Sequence, residues 1–293
     1  MGFPDLLELV RRREKRLRVA VVLPHYNEIF KAIKIADEFC FEFTLVGQRK
    51  VMQPYLREFG LTTCRVIDTE NDWEASSLAV SMARNKEIDL LMKGSVKTAV
   101  LMKTILEDRD GIRGKSFLSH VAVFECPDGR FIGVTDGGLN IQPDINQKVR
   151  IIQNAAELFH QLGVGCPKVA LLSGVEVVNP AIPSTISAAA LTKMAAEGAF
   201  PGSIVEGPMA FDLAFNRAAG RAKRYSGKIQ GDADVFVAPE IVAGNVLGKS
   251  LNHAAGFPSG GVVMGARMPI VLLSRSDRAA EKLNSLLLAG VLV

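Results

Sequence analysis

The sequence predicts an α/β protein built on parallel sheets, and three observations carry that prediction. Short β-branched apolar runs alternate with longer segments of helical period along most of the chain. The runs are apolar at successive positions, as in strands covered on both faces, and lack the apolar–polar alternation of a half-solvated strand. Helical segments of a dozen residues between such strands favour right-handed crossovers in a parallel sheet. The length of 293 residues suits one large or two modest domains at about 150 residues each.

Taken in order, strands are expected at 18–23, 43–47, 64–68 and 88–92. Helices are expected at 27–39, 50–59, 72–84 and 96–106. The first strand ends in Pro24-His25-Tyr26-Asn27, where Asn27 suits the N-cap of the helix that follows. The pattern changes from Phe117. Runs 119–124 and 130–134 are separated by Pro127-Asp128-Gly129, which is hairpin chemistry. A long helix over 143–162 follows, with Pro143 suited to its first turn. Alternation then resumes: strand 168–172, helix 184–197, strand 203–206, helix 208–219, strand 234–237, helix 241–254, strands 261–264 and 270–273. A last helix begins near Asp277. Two α/β units meeting near Thr135–Asn140 are the natural division.

At 48% hydrophobic and 23% charged, the chain can bury a sizeable core, which excludes a disordered, collagen-like or disulfide-stapled protein. The net charge of +4 is local: residues 11–18 (RRREKRLR) carry +5, leaving the other 285 residues at −1. No nucleic-acid partner is expected from such a balance. Cys40, Cys64, Cys126 and Cys166 form no CxxC pair, and only four histidines are available, so no metal site is expected. Buried free thiols in a reducing compartment fit this usage. The start of the chain has no apolar h-region, and no window approaches 18 consecutive apolar residues, so a cytoplasmic protein without a membrane partner is expected.

Three strand–turn–helix edges carry candidate chemistry. Ala243-Gly244-Asn245-Val246-Leu247-Gly248-Lys249-Ser250 fits a relaxed phosphate-binding loop, with Lys249 reaching terminal phosphates. Val246 and Leu247 are helix-friendly where a glycine-rich wrap is needed, which leaves a looser reading: an anion at a helix N-terminus. Ser274-Arg275-Ser276-Asp277, followed by Glu281, stands where an apolar strand gives way to a helix. It offers a hydroxyl and a guanidinium fork suited to phosphate, or else simple helix capping. Lys93-Gly94-Ser95-Val96-Lys97-Thr98 repeats the arrangement, with a glycine for close approach and anion donors around it. Together these edges describe a cleft for a multiply anionic small molecule. His120, in an apolar strand, reads as a core or supporting histidine, and no Ser-His-Asp arrangement is visible.

With these segments in view, the chain resembles the phosphotransacylase family of phosphate acetyltransferases and phosphate butyryltransferases, and most the butyryltransferase branch. The resemblance runs through Met92-Lys93-Gly94, 117–125, Thr135-Asp136, Asn140–Asp144, 169–180 and Val205–Pro208. It continues in Ala243–Leu247, Lys249–Leu251, Gly265–Ile270 and Ser274-Arg275. It covers about residues 88–293, with only the strand–helix rhythm agreeing before that. It implies two α/β/α domains with a cleft between them, related to the isocitrate and isopropylmalate dehydrogenase fold. By this resemblance one domain would comprise 1–137 and 276–293, and the other 138–275. It also implies a homodimer that converts acyl-CoA plus phosphate to acyl phosphate plus CoA, with CoA as substrate and no cofactor.

By the same resemblance Ser274 would hold the CoA thiol and Arg275 would bind phosphate. The acidic group falls on Glu281, with Asp277 an open alternative. Lys93, Gly94, Ser95, Thr98, Asp136, Asn140, Gly244, Asn245, Lys249, Gly265 and Arg267 would line the CoA and phosphate site. Gly248 stands where the butyryltransferase pattern has an aromatic, and Lys103 where it has Arg, which blurs acyl-chain choice. A carboxylate near pKa 4.3 facing a thiol near 8.5 is mismatched by about four units, roughly 5–6 kcal/mol. Thiolate formation therefore needs a raised carboxylate pKa or proton loss concerted with attack. Acetyl transfer and a silent CoA-binding protein are the alternatives. A metal-dependent dehydrogenase would need an aspartate cluster where only Asp232 and Asp234 stand.

Overall fold

A computed structural model describes residues 1–114 and 117–293. The chain divides into two compact units: Gly2–Ser116 with Pro258–Val293, and an inserted unit, Phe117–Phe257. The first begins with α1 (Phe3–Arg11), whose Phe3, Leu6 and Val10 form one buried stripe at helical spacing. It continues with β1 (Leu17–Val22), α2 (Asn27–Asp37), β2 (Phe41–Gly47), α3 (Arg49–Glu58), β3 (Arg65–Asp68), α4 (Asp72–Arg84), β4 (Leu90–Lys93) and α5 (Thr98–Ile105). Tyr26, not Asn27, is the N-cap of α2. By contrast Asn71 caps α4 as its type suggests, its side chain accepting from Glu74 N at 3.0 Å.

The inserted unit opens with the expected hairpin, β5 (Ser119–Glu125) and β6 (Phe131–Thr135), closed by Gly129 N donating to Cys126 O at 2.8 Å. α6 (Ile145–Gln161), β7 (Lys168–Leu172), α7 (Pro183–Ala196) and β8 (Ile204–Met209) follow. Pro143 lies outside α6, because Asp144 caps it in a reciprocal pair with Gln147. The helix expected over 208–219 is two short ones, α8 (Phe211–Phe215) and α9 (Arg217–Ala222). Pro208 stays in β8, which pairs only with β7 in this unit, and an edge strand tolerates the missing donor. Asn216 is extended and breaks the helix, its side chain accepting from Ala218 N at 2.8 Å. β9 (Val235–Val237) and α10 (Ile241–Lys249) complete the unit, α10 running into one π-helical turn at Ser250–Ala254. Phe236, Phe211, Phe124, Ile132 and Met209 pack in one apolar cluster.

The chain then returns to the first unit with β10 (Ser259–Met264), β11 (Ile270–Val271) and α11 (Ala279–Val291), which packs on β10, α2 and α1. The first unit's strands run in the order β3-β2-β1-β4-β11-β10, all parallel except β10. In the inserted unit the order is β5-β6-β9-β7-β8, all parallel except β5.

The division falls at Phe117 and Pro258, not at 137/138 and 275/276 as the resemblance implied. Hydrogen bonding explains the difference. β6 pairs in register with β9 (Thr135 opposite Val237), which draws the hairpin into the inserted unit. β11 pairs with β4 (Ile270 opposite Leu91), which draws 258–275 into the first.

The basic N-terminal segment has structural work. Arg16 Nε donates to Phe41 O at 2.9 Å. Arg13 reaches Gly290 O at 3.3 Å, and Arg18 grips Asp89 through Nε at 3.0 Å and Nη2 at 2.7 Å. Burial would raise the Asp89 carboxyl, but the Arg18 hydrogen bonds hold it below its ordinary range. The thiols are free but not uniformly buried: Cys126 is buried, Cys40 and Cys64 are half-buried, and Cys166 is exposed. Burial pushes Cys64 up to about 12 and Cys126 up to about 11, so both are protonated near neutral pH. No helix among the described residues is long and apolar enough to cross a membrane.

Candidate functional site

The strand order β3-β2-β1-β4 contains a reversal between β1 and β4, and such a switch point opens a ligand crevice at the carboxyl ends of the strands. Gly94 stands there because nothing larger fits: a Cβ would meet the carbonyl oxygens of Val22 and Leu23. That close approach lets Gly94 N donate to Val22 O at 2.8 Å and Ser95 N to Leu23 O at 2.7 Å. The Ser95 hydroxyl is spent on Leu23 O at 3.0 Å. Lys93 is 6% exposed, with its ammonium 3.1 Å from Gly94 O. Thr98 is half-buried in the first turn of α5.

Because β11 lies parallel beside β4, the turn after it emerges next to the turn after β4. Arg275 joins the two, its Nη2 donating to Ser95 O at 2.6 Å. Ser274 N donates to Asp277 Oδ2 at 2.8 Å, and the Ser274 and Ser276 hydroxyls are 2.8 Å apart. The structure thus brings Lys93, Gly94, Ser95, Ser274, Arg275 and Asp277 together. Burial first, then the charges of Arg275 and Lys282, push the Lys93 ammonium below the ordinary lysine range, with Asp277 pulling the other way.

Glu281 is only 4% exposed and closes the N-terminus of α11, accepting from Arg278 N at 2.9 Å and Nε at 3.1 Å. Gly265 and Arg267 lie before β11, held to the 112–114 segment: Arg267 N donates to Ile112 O at 3.0 Å and Nε to Arg113 O at 3.2 Å. They stand at the end of β11 opposite Ser274, so they do not join its group.

In the inserted unit, Asp136 follows β6 and is 3% exposed. Its Oδ1 accepts from Gly138 N at 2.9 Å and Leu139 N at 2.8 Å. Its Oδ2 accepts from His120 N at 3.0 Å and Asn140 Nδ2 at 2.7 Å. Asp136, expected in the CoA and phosphate site, organises its own loop. Gly137 packs directly on Gly244, and Asn245 Nδ2 reaches Gly137 O at 3.0 Å. Asp136, Asn140, Gly244 and Asn245 therefore meet, while exposed Lys249 lies about 7 Å further along α10.

The phosphate-loop reading of 243–250 is overturned, since 241–249 is helix. The looser helix-terminus reading fails as well: the Glu240 carboxylate already takes Val242 N at 2.7 Å and Ala243 N at 2.8 Å. At Gly248 an added Cβ would meet only Phe124 Cζ, at 3.5 Å, so the expected aromatic's place is open on this side. Lys103 sits over the Trp73 ring at 5.3 Å. Asp232 and Asp234 serve the start of β7, through Lys168 Nζ at 2.8 Å and Lys168 N at 2.8 Å.

Sequence reading missed Lys282 and Tyr26. Lys282 is fully buried on the α11 face it shares with Leu286 and Ala289, a lysine in an apolar stripe, and that was its signal. Its ammonium lies 5.3 Å from the Tyr26 ring centroid, and the Tyr26 hydroxyl is buried without a hydrogen-bond partner among the described residues.

A buried lysine, an arginine fork and an exposed serine hydroxyl meet at the ends of parallel strands, donor chemistry of the kind that suits a small anion in an α/β protein. Comparison gives the family: the model described as Phosphate acetyl/butaryl transferase matches residues 12–290, and the chain belongs to that family. It is an enzyme of the phosphate acyltransferase type, and the match extends the resemblance through the N-terminal third. The chain is 39% identical over 277 residues to a Bacillus subtilis (strain 168) protein named "Probable phosphate butyryltransferase", covering 94% of this chain and 93% of that one. It is 42% identical over 229 residues to a phosphate acetyltransferase of Rhizobium meliloti, covering 77% and 72%. A branched-chain phosphotransacylase from Enterococcus faecalis V583 superposes with TM-score 0.84 at 32% identity, covering 94% of this chain and 99% of that one.

Proposed function

We propose that this enzyme moves a butyryl or related short or branched acyl group between CoA and phosphate by direct thiol attack in a ternary complex. The observation that carries the reading is the Arg275–Ser95 tie, which sets a guanidinium beside the buried Lys93 and the Ser274 hydroxyl. From acyl phosphate, the CoA sulfur bonds to the acyl carbon as the carbon–oxygen bond to phosphate breaks. Ser274 holds the thiol, and Arg275 and Lys93 take the charge growing on the departing phosphate. Asp277, bonded to Ser274 N, is the nearer carboxylate to receive the thiol proton, while Glu281 is committed to Arg278. Asn245 and Lys249 are the inserted unit's candidates for further CoA or phosphate contact. No cofactor enters this scheme, and the reaction belongs to the cytoplasm, where free thiols persist.

Initial rates test it. With butyryl-CoA, isobutyryl-CoA and acetyl-CoA each varied against phosphate, intersecting double-reciprocal lines and the highest kcat/KM for a four-carbon chain are expected. Parallel lines would contradict direct attack, and a clear acetyl preference would favour the acetyltransferase alternative.

The depressed Lys93 ammonium gives a pH signature in the direction from acyl-CoA and phosphate, where no free thiol attacks. Above its titration Lys93 is neutral and phosphate is held less well. The phosphate kcat/KM should therefore fall on an alkaline limb below the ordinary lysine value of about 10.4. In Lys93→Arg the limb should move up, because guanidinium stays protonated. An identical limb would remove Lys93 from the site.

The enzyme is further proposed to be a homodimer, joined through the inserted unit. Val242 and Val246, one turn apart on α10, are 63% and 58% exposed, and neighbouring Ile141 is 75% exposed. Such apolar exposure marks an interaction face. Sedimentation should give twice the chain mass, and Val242→Asp with Val246→Asp should halve it. A wild-type monomer contradicts this.

A further inference from the structure

We propose that Lys282 is a positioning residue for acyl transfer: from beneath, it brackets the turn that carries Ser274, Arg275 and Asp277, with the Tyr26 ring as its support. The proposal rests on the phosphate acyltransferase reading and adds a residue to it. A fully buried ammonium is costly unless its donors are used, and those of Lys282 go to the two ends of this turn. Nζ donates to Ser274 O at 3.3 Å and to Asp277 O. Its remaining side faces the Tyr26 ring, 5.3 Å from the centroid, a cation–π arrangement.

The turn is otherwise held by its own short-range bonds, Ser274 N to Asp277 Oδ2 at 2.8 Å and Asp277 N to Ser274 O at 3.3 Å, and by Arg275 Nη2 on Ser95 O at 2.6 Å. Ser274 and Arg275 themselves are exposed. The Arg275 tie fixes one side chain of this surface turn, whereas α11, through Lys282, fixes the backbone at both of its ends. Its own N-terminus is fixed by carboxylates, Glu281 on Arg278 N at 2.9 Å and Glu28 on Ala279 N at 2.9 Å. Lys282 thus transmits the position of a packed helix to two residues that must meet thiol and phosphate together. Misplacement by about 1 Å in such a site lowers turnover roughly a hundredfold.

The test compares wild type, Lys282→Met, Lys282→Arg and Tyr26→Leu in the full chain. Lys282→Met should lower kcat roughly tenfold to a hundredfold and raise the phosphate KM. It should also speed amide exchange at 274–277 while exchange in the inserted unit stays unchanged. Lys282→Arg should restore part of the rate, and Tyr26→Leu should show the same pattern more weakly. Wild-type kinetics with unchanged 274–277 exchange in Lys282→Met would overturn the proposal. So would losses that merely follow a fall in Tm, with no rescue by arginine. If Lys282→Met does not fold, Tyr26→Leu decides by the same two readouts. Exchange is followed with and without inorganic phosphate, so it reports on Lys282 even if wild type releases no thiol. That last result would sink the acyl-transfer reading alone.

Discussion

Arg275→Ala should lower kcat by about 10²–10³-fold, the usual effect of deleting a fixed donor to transition-state charge. The Tm should barely move. Arg275 is exposed, and its side-chain hydrogen bond among the described residues, Nη2 to Ser95 O, is a surface bond of little weight in stability. Arg275→Lys should recover part of the rate, because charge is kept while the planar fork that grips two phosphate oxygens is lost. Activity and unfolding measured on the same preparations separate the two effects. Near-normal turnover in the alanine variant would remove Arg275 from the reaction.

Asp136→Ala should have the largest effect on stability, about 3 kcal/mol or more, since four donors lose their acceptor around a side chain only 3% exposed. That corresponds to a fall in Tm of roughly 6–12 °C. Asp136→Asn should be nearly as damaging. An amide offers one acceptor oxygen where two pairs of donors converge, so its NH₂ must face one pair. Calorimetry on both variants checks this, and an asparagine variant as stable as wild type would show that the loop has another organiser.

The α/β class, the alternation of strands and helices from β1 onward except the split 208–219 helix, and the hairpin at Pro127–Gly129 were legible because each rests on local pattern, whereas α1 was not expected. The unit boundaries were not, because they depend on which strand pairs with which. The hairpin belongs with β9, and β11 with β4, and no local composition announces such pairings. At the site, the turns after β4 and β11 were legible as Gly-, Ser- and base-rich strand ends. The segment 243–250 misled because loop-like glycines sat inside a helix whose cap, Glu240, is three residues upstream of the motif. Asp136 was found as a motif residue, but its loop-organising role needed the positions of four donors. Lys282 meets the Tyr26 ring across elements, a contact invisible to spacing. The basic stretch that dominates the net charge proved to be arginines tying α1 and β1 to their neighbours.

The most direct test of the central claim is thiol release from butyryl-CoA by the purified enzyme, with and without inorganic phosphate and with no nucleotide or metal added. The account predicts release that requires phosphate, equals the acyl phosphate trapped as hydroxamate, and disappears in Arg275→Ala. Release without phosphate, or none with any short-chain acyl-CoA, would contradict it.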